Sequence, residues 1–167
     1  RWRACSWPCV KCASSMAARI RVFLDTSALF AGLWSEAGGA RLLLRLGEAG
    51  AIQIVLSQQV LNELDDVLRR KAPHLLPTLA LLLDRLQAEI SGPGSAEQYQ
   101  TCLEWTGHPG DARILADAWQ AGVTELVSLN QKHILNRPEL AAALPYAIGT
   151  PGDFIQKFRH ALQEVDD

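Results

Sequence analysis

Two polar residues stand directly behind apolar runs of strand type: Asp25 after IRVFL (Ile20 to Leu24), and Asn130 after ELVSL (Glu125 to Leu129). In open parallel sheets ligands bind in the crevice beyond the carboxyl ends of the strands, so side chains at such positions are placed for chemistry. Further acids lie on helical patterns. With Val60 at zero and ~100° per residue, the apolar stripe of the helix after Ser57 centres near ~40°, which puts Glu63 about 100° from it and Asp65 at its other edge. That leaves Glu63 and Asp65 level, while Asp66 faces away. Asp111 falls in the first turn and on the apolar side of its helix, and Asp117 reads as solvated. Singly, an N-cap would account for Asp111, and the wet side of an amphipathic helix for Glu63, Asp65 and Asp66. Gathered together, Asp and Glu oxygens without Cys or His suit a hard divalent cation. Carboxylates converging in one cleft repel one another, so such a cation would be part of the design.

The elements that must position these residues alternate short apolar runs with helical patterns, the signature of parallel strands joined by crossover helices. After IRVFL and TSALFAGL, Gly38 and Gly39 open a stretch with Leu42, Leu43 and Leu46 on one face, which Gly50 closes. IQIVL (Ile52 to Leu56) is a second strand. Ser57 stands as N-cap to a helix with Val60, Leu61, Leu64, Val67 and Leu68 inward, and the basic run Arg69 to Lys71 suits its C-terminus. Beyond the break bracketed by Pro73 and Pro77, Leu79, Leu82, Leu83, Leu86 and Ile90 draw another stripe. SGPGS (Ser91 to Ser95) and GHPG (Gly107 to Gly110) are loops, and the segment between them carries no clear period. Asp111 to Gly122 is a helix with Ile114, Leu115, Ala118 and Trp119 inward. A last strand falls around Tyr146 to Ile148, and Thr150 with Pro151 starts a final helix carrying Phe154, Ile155, Phe158 and Leu162.

The 167 residues, 49% apolar and 20% charged, have the length and composition of one folded domain. No apolar run approaches the ~20 residues of a spanning helix, so no membrane role is expected. The single Met, Met16, stands just before AARIRVFLD; residues 1–15 read as a disordered upstream leader and 16–167 as one domain. Cys5, Cys9 and Cys12 crowd into that leader and lack the fourth ligand of a closed zinc site, and only Cys102 lies in the body. A reducing, cytoplasmic home follows. The first 15 residues carry Arg1, Arg3 and Lys11 and no acid, leaving 13 basic (16 less 3) against 18 acidic residues, a formal −5. Such a body has no global field for nucleic acid and must bind a polyanion through a local patch or through metal ions.

RVFLDTSALFAGL (Arg21 to Leu33), LSQQVLNELDDVLRRK (Leu56 to Lys71) and DARILADAWQAGVTELVSLNQKHI (Asp111 to Ile134), in that order, resemble the PIN-domain family of metal-dependent ribonucleases, including the VapC-like toxins of toxin–antitoxin pairs. TPGDF (Thr150 to Phe154) is similar to the start of that family's last helix. The resemblance spans nearly everything from Ile20 to Phe158. It implies a three-layer α/β/α fold with a central, mostly parallel sheet, and an Mg²⁺- or Mn²⁺-dependent endoribonuclease. It also implies that Asp25, Glu63 and Asp111 are the acidic ligands, which resolves the tie between Glu63 and Asp65. Thr26 and Ser27 would supply a hydroxyl near the metal or the scissile phosphate. Where many members carry a fourth Asp this chain has Asn130, so one firmly bound ion and a weaker second are expected.

Phosphodiester hydrolysis needs an activated water, a shield for charge on the phosphoryl oxygens and relief for the leaving oxygen, all within reach of such ions. Lys132 and His133 are the first candidates for contact with RNA, with Arg113 and Arg137 behind them; Trp34 and Trp105 read as core or surface aromatics. The resemblance further implies a homodimer and an antitoxin partner. Two other readings compete. Asn130 favours a catalytically weakened PIN domain that serves as an RNA-binding or protein-binding module. VFLDTS superficially matches the nucleophilic Asp of haloacid dehalogenases, but that class wants an acid at position 27, which is Ser.

Overall fold

The computed structural model describes residues 20–166. The expectations for the leader, its cysteines and Met16 lie outside the described residues. Five strands, β1 (Arg21–Leu24), β2 (Gln53–Ser57), β3 (Glu89–Ser91), β4 (Glu125–Val127) and β5 (Ala147–Gly149), form one sheet in the order β3-β2-β1-β4-β5. All four pairings are parallel, with Val22 opposite Ile54 on one side and Glu125 on the other. Parallel neighbours need crossovers, and the helices supply them: α1 (Thr26–Trp34), α2 (Gly39–Glu48), α3 (Gln58–Lys71), α4 (Leu76–Leu86), α5 (Ala96–Thr106), α6 (Pro109–Ala121), α7 (Pro138–Ala143) and α8 (Pro151–Asp166). Helices α1 to α4 pack on one another and α8 on α2, while α5 lies along α6, which covers β2 and β3. The expected three-layer α/β/α architecture is what forms. Because the chain adds β2 and β3 on one side of β1 and then β4 and β5 on the other, the strand order reverses at the β1/β4 junction.

The strands read as continuous apolar runs because both faces are covered: Val22, Phe23, Leu24, Ile54, Val55, Leu56, Leu126 and Val127 are all buried. Each such side chain contributes roughly 1.5–3 kcal/mol on leaving water. Ser57 ends β2 and caps α3, its hydroxyl accepting from the Val60 amide. Gly122, at φ 61°, stops α6 in the left-handed region where a glycine costs least.

Several side chains depart from the sequence expectation. On α2 it is Leu43 and Leu44 that are buried, whereas Leu42 is exposed; the inward face is turned by one residue. Ile90 does not continue the α4 stripe, since Gln87 ends that helix at φ 45° and Ile90 sits exposed on the edge strand β3. Leu162 faces solvent. The segment without a clear period is α5, started by a reciprocal capping box between Ser95 and Gln98. Asp117, expected to be solvated, is 2% exposed and accepts from the Gly94 amide at 2.9 Å. The loop behind β3 is thereby fastened to α6, and a Cβ at Gly94 would lie 2.6 Å from the Ala116 carbonyl. Of the aromatics left open, Trp34 is exposed and stacks on Phe30, and Trp105 stacks on Trp119.

Candidate active site

The carboxyl end of β1 delivers Asp25 into the turn that starts α1. Its Oδ1 accepts from the Ala28 amide at 2.8 Å and the Ser27 hydroxyl at 2.7 Å, so Asp25 is the N-cap of α1. Its Oδ2 accepts from the Ser128 hydroxyl, which follows β4. Only 4% of Asp25 is exposed. Burial pushes its carboxyl above the usual range, and the hydrogen bonds from Ser128, the Ala28 amide and Ser27 pull against that rise.

The neighbouring residue reaches the second acid. Thr26 donates its hydroxyl to Glu63 Oε2 at 2.8 Å, and Gln59, one turn earlier on α3, donates to Glu63 Oε1 at 2.6 Å. Asp65, level with Glu63 by helical angle, turns to Arg69 at 2.6 Å. The third acid belongs to the first turn of α6. Here the N-cap is His108, with Pro109 and Gly110 in the first two helical positions, so Asp111 is no cap. Its Oδ1 accepts instead from the Asn130 side-chain amide at 3.0 Å.

Asn130 joins the two halves. Its backbone amide donates to Ser128 Oγ at 2.9 Å, and its Oδ1 accepts from the His133 amide at 3.1 Å, capping a short π-helical turn, Gln131–Leu135. The side chain has one orientation consistent with both partners, because a carboxylate only accepts and a backbone N–H only donates. A Cβ on Gly110 would lie 3.8 Å from Glu63 Oε1, which sets Glu63 beside the turn that carries Asp111. Hydrogen bonds therefore join Asp25 through Ser128 and Asn130 to Asp111, and Thr26, Glu63 and Gly110 complete a ring of neighbours in which Glu63 stands near Gly110 without a bond to it. The ring lies at the carboxyl ends of β1 and β4, where the strand order reverses. Among the described residues, no Lys or Arg forms an ion pair with any of its three acids.

The sequence profile of the PIN domain matches residues 21–132. The chain belongs to the PIN-domain family. This PIN domain shares its fold with a chain of the VapBC2 structure from Rickettsia felis, bound there to a promoter DNA fragment. That chain is 21% identical, with a TM-score of 0.56, and the match covers 78% of this chain and 98% of that one. It is likewise similar to PAE2754 from Pyrobaculum aerophilum at 16% identity and a TM-score of 0.53, covering 82% of this chain and 96% of that one. No curated protein sequence matches significantly.

The PIN fold thus brings together Asp25, Thr26, Ser27, Glu63, Asp111 and Asn130. Of the cations expected near the mouth, Lys132 is exposed on the π-helical turn and His133 is half-buried. Arg113 and Arg137 are engaged elsewhere: Arg113 lies over the Tyr99 ring at 4.2 Å and Arg137 pairs with Glu139 at 3.1 Å. Further residues of the site escaped sequence reasoning. His108 packs edge-on against His133, ring centroids 4.0 Å apart, beside Asp111. Its signal was its place in GHPG, immediately before the helix that carries Asp111.

Ser128 was also missed; it stood inside what read as a longer strand. Cys102 is no rival nucleophile, because burial pushes its thiol up to about 11. No helix among the described residues is long and apolar enough to cross a membrane.

Proposed function

We propose that this PIN domain is a divalent-cation-dependent endoribonuclease, with Asp25, Glu63 and Asp111 as the residues that hold the cation. The observation that supports this most is the ring itself: three acids from distant parts of the chain border the strand-order reversal, linked through neutral donors and paired with no Lys or Arg among the described residues. Hard carboxylate and hydroxyl oxygens fit Mg²⁺ or Mn²⁺. When bound, such an ion supplies Lewis-acid polarisation of the phosphoryl oxygens and a water of lowered pKa.

The chain's own residues then divide the work. Ser27, Ser128 and the Ala28 amide keep Asp25 in one rotamer without cancelling its charge. Thr26 and Gln59 fix Glu63. Asn130, at the fourth position, orients Asp111 through its amide rather than adding a charge. Lys132 and His133, on the turn just beyond, are the groups proposed to meet the RNA phosphates. The resemblance to VapC-like toxins carries the accompanying proposals of an antitoxin partner, a homodimer and a cytoplasmic location.

The experiment is cleavage of RNA with and without chelator, divalent ions added back, for the parent chain and Asp25→Asn. Cleavage restored by Mg²⁺ or Mn²⁺ and abolished by the substitution is the expected result. Asn130 also favours the second reading, a binding module whose chemistry has faded, because both ends of its amide are committed within the protein. RNA bound but not cut under every divalent ion would establish that reading instead.

A further inference from the structure

We infer that His108, Asp111 and His133 form a binding site for a nitrogen-preferring transition ion of the zinc class, at the rim of the acid ring and chemically distinct from it. One donor atom from each of the three lies within 4.8 Å of the other two, and His133 Nδ1 is 4.0 Å from Asp111 Oδ2. An ion with bonds of about 2.0–2.1 Å sets tetrahedral donors roughly 3.4 Å apart, so closure needs movements of about 1 Å. The exposed imidazole of His108, on the loop before α6, can supply them by rotation.

The local structure prepares the other two ligands. Asn130 holds Asp111 Oδ1 through its Nδ2, leaving Oδ2 turned to His133, and the same amide accepts from the His133 backbone N–H through its Oδ1. A single side chain thereby orients a ligating carboxylate and the turn that presents a ligating imidazole, the kind of outer support that metal ligands ordinarily have. The two rings meet at an interplanar angle of 62°, and Asp111 completes the cluster with them. The amino end of α6 carries a partial positive charge, and Asp111 in its first turn offsets it.

The donor set decides the ion. Two imidazoles and one carboxylate suit zinc, cobalt or nickel and leave a fourth position for water, whereas Mg²⁺ demands oxygen and releases its own waters reluctantly. Asp111 belongs to both sets. An ion drawn by the histidines takes the carboxylate oxygen that the acid ring would otherwise present, so zinc-class and magnesium-class ions are coupled through this one residue.

The test is zinc binding to the full chain, measured by competition with a chromophoric chelator after Cys5, Cys9 and Cys12 are changed to Ser so that sulfur does not compete. One ion should bind, and His108→Ala and His133→Ala should each weaken it at least about tenfold, while Asp25→Asn leaves it within about twofold. Millimolar Mg²⁺ should not displace it, and cobalt in its place should show the visible bands of low-coordinate ligation, lost in His133→Ala. Circular dichroism and melting check each variant, with His108→Gln as the milder replacement if His108→Ala unfolds. The inference is overturned if His108→Ala binds zinc as tightly as the parent, if Asp25→Asn weakens it as much as His108→Ala, or if Mg²⁺ displaces it. RNA cleavage is not read, so a chain without nuclease activity would leave the result standing.

Discussion

Asp25, just past β1, and Glu125, on the adjacent strand β4, are both buried carboxylates, yet they sit at opposite ends of the sheet and are held in opposite ways. Glu125, at the amino end, is 0% exposed; one oxygen meets Lys157 Nζ at 2.9 Å and Oε2 has no hydrogen-bond partner. Asp25, at the carboxyl end, has both oxygens occupied by hydroxyl and amide donors and no cation. Burial raises both carboxyls above their usual range; Lys157 opposes the rise at Glu125, and neutral hydrogen bonds oppose it at Asp25. Neutral donors fix a carboxylate in place while leaving its charge available to an external cation; a lysine fixes it and spends that charge. Glu63 and Asp111 follow Asp25 in this respect, and Glu89, paired with Arg21 at 2.6 Å, follows Glu125.

The largest effect that could break the contrast is on chemistry. Asp25→Asn should lower metal-dependent RNA cleavage by about a thousandfold, roughly 4 kcal/mol of transition-state stabilisation, while circular dichroism shows the fold intact. An active Asp25→Asn enzyme would place the cation elsewhere. Next, Lys157→Met should destabilise the chain by about 2–3 kcal/mol in urea unfolding, because Glu125 is left buried and alone, and adding Glu125→Gln should recover most of the loss. If Lys157→Met is neutral, Glu125 has no need of its cation and the distinction fails.

Asn130→Asp replaces a donor to Asp111 by a fourth charge. Divalent-ion affinity in calorimetric titration should rise about tenfold, near 1.4 kcal/mol; equal or weaker affinity would mean that orienting Asp111 outweighs charge. The smallest effect is at Glu89, whose carboxyl Arg21 holds below the usual range, chiefly through their hydrogen bond. A depressed folded pKa stabilises above the unfolded value of about 4.3 and loses that contribution as pH falls through the folded one. Glu89→Gln should therefore cost about 0.5–1 kcal/mol at pH 7 and nothing near pH 2, the range being that of a partly exposed pair.

The parallel sheet and the Asp25 position were legible because a short, mostly apolar run ending in an acid has few other uses in a chain of this composition. Strand β3 was not, since its three residues lie on the sheet edge and Ile90 points to solvent. Helix α5 hid because only Cys102 and Thr106 are buried on it, leaving no apolar period; Ser95 and Gln98 were the only local sign of its start. Asp117 was misplaced because a helical-angle argument assumes one buried face, whereas α6 is covered by the sheet and by α5 together. At the site, angle alone left Glu63 level with Asp65; beyond the family resemblance, their partners separate them, Thr26 from α1 for Glu63 and the same-helix Arg69 for Asp65. The pairing of His108 with His133 joins residues distant in sequence, so beyond the place of His108 in GHPG nothing local announces it.

The buried Asp117 also fixes how a long ligand must approach. By composition SGPGS is a flexible strap, but its Gly94 is hydrogen-bonded to Asp117 and pressed on the Ala116 backbone, behind β3 and at the same end of the sheet as the acids. That fastening restrains the border before anything docks, which lowers the entropy of loop ordering charged against association there. Under the proposed activity a polymer would have to conform to the protein on that side, and the adaptability that recognition requires would have to come from the RNA.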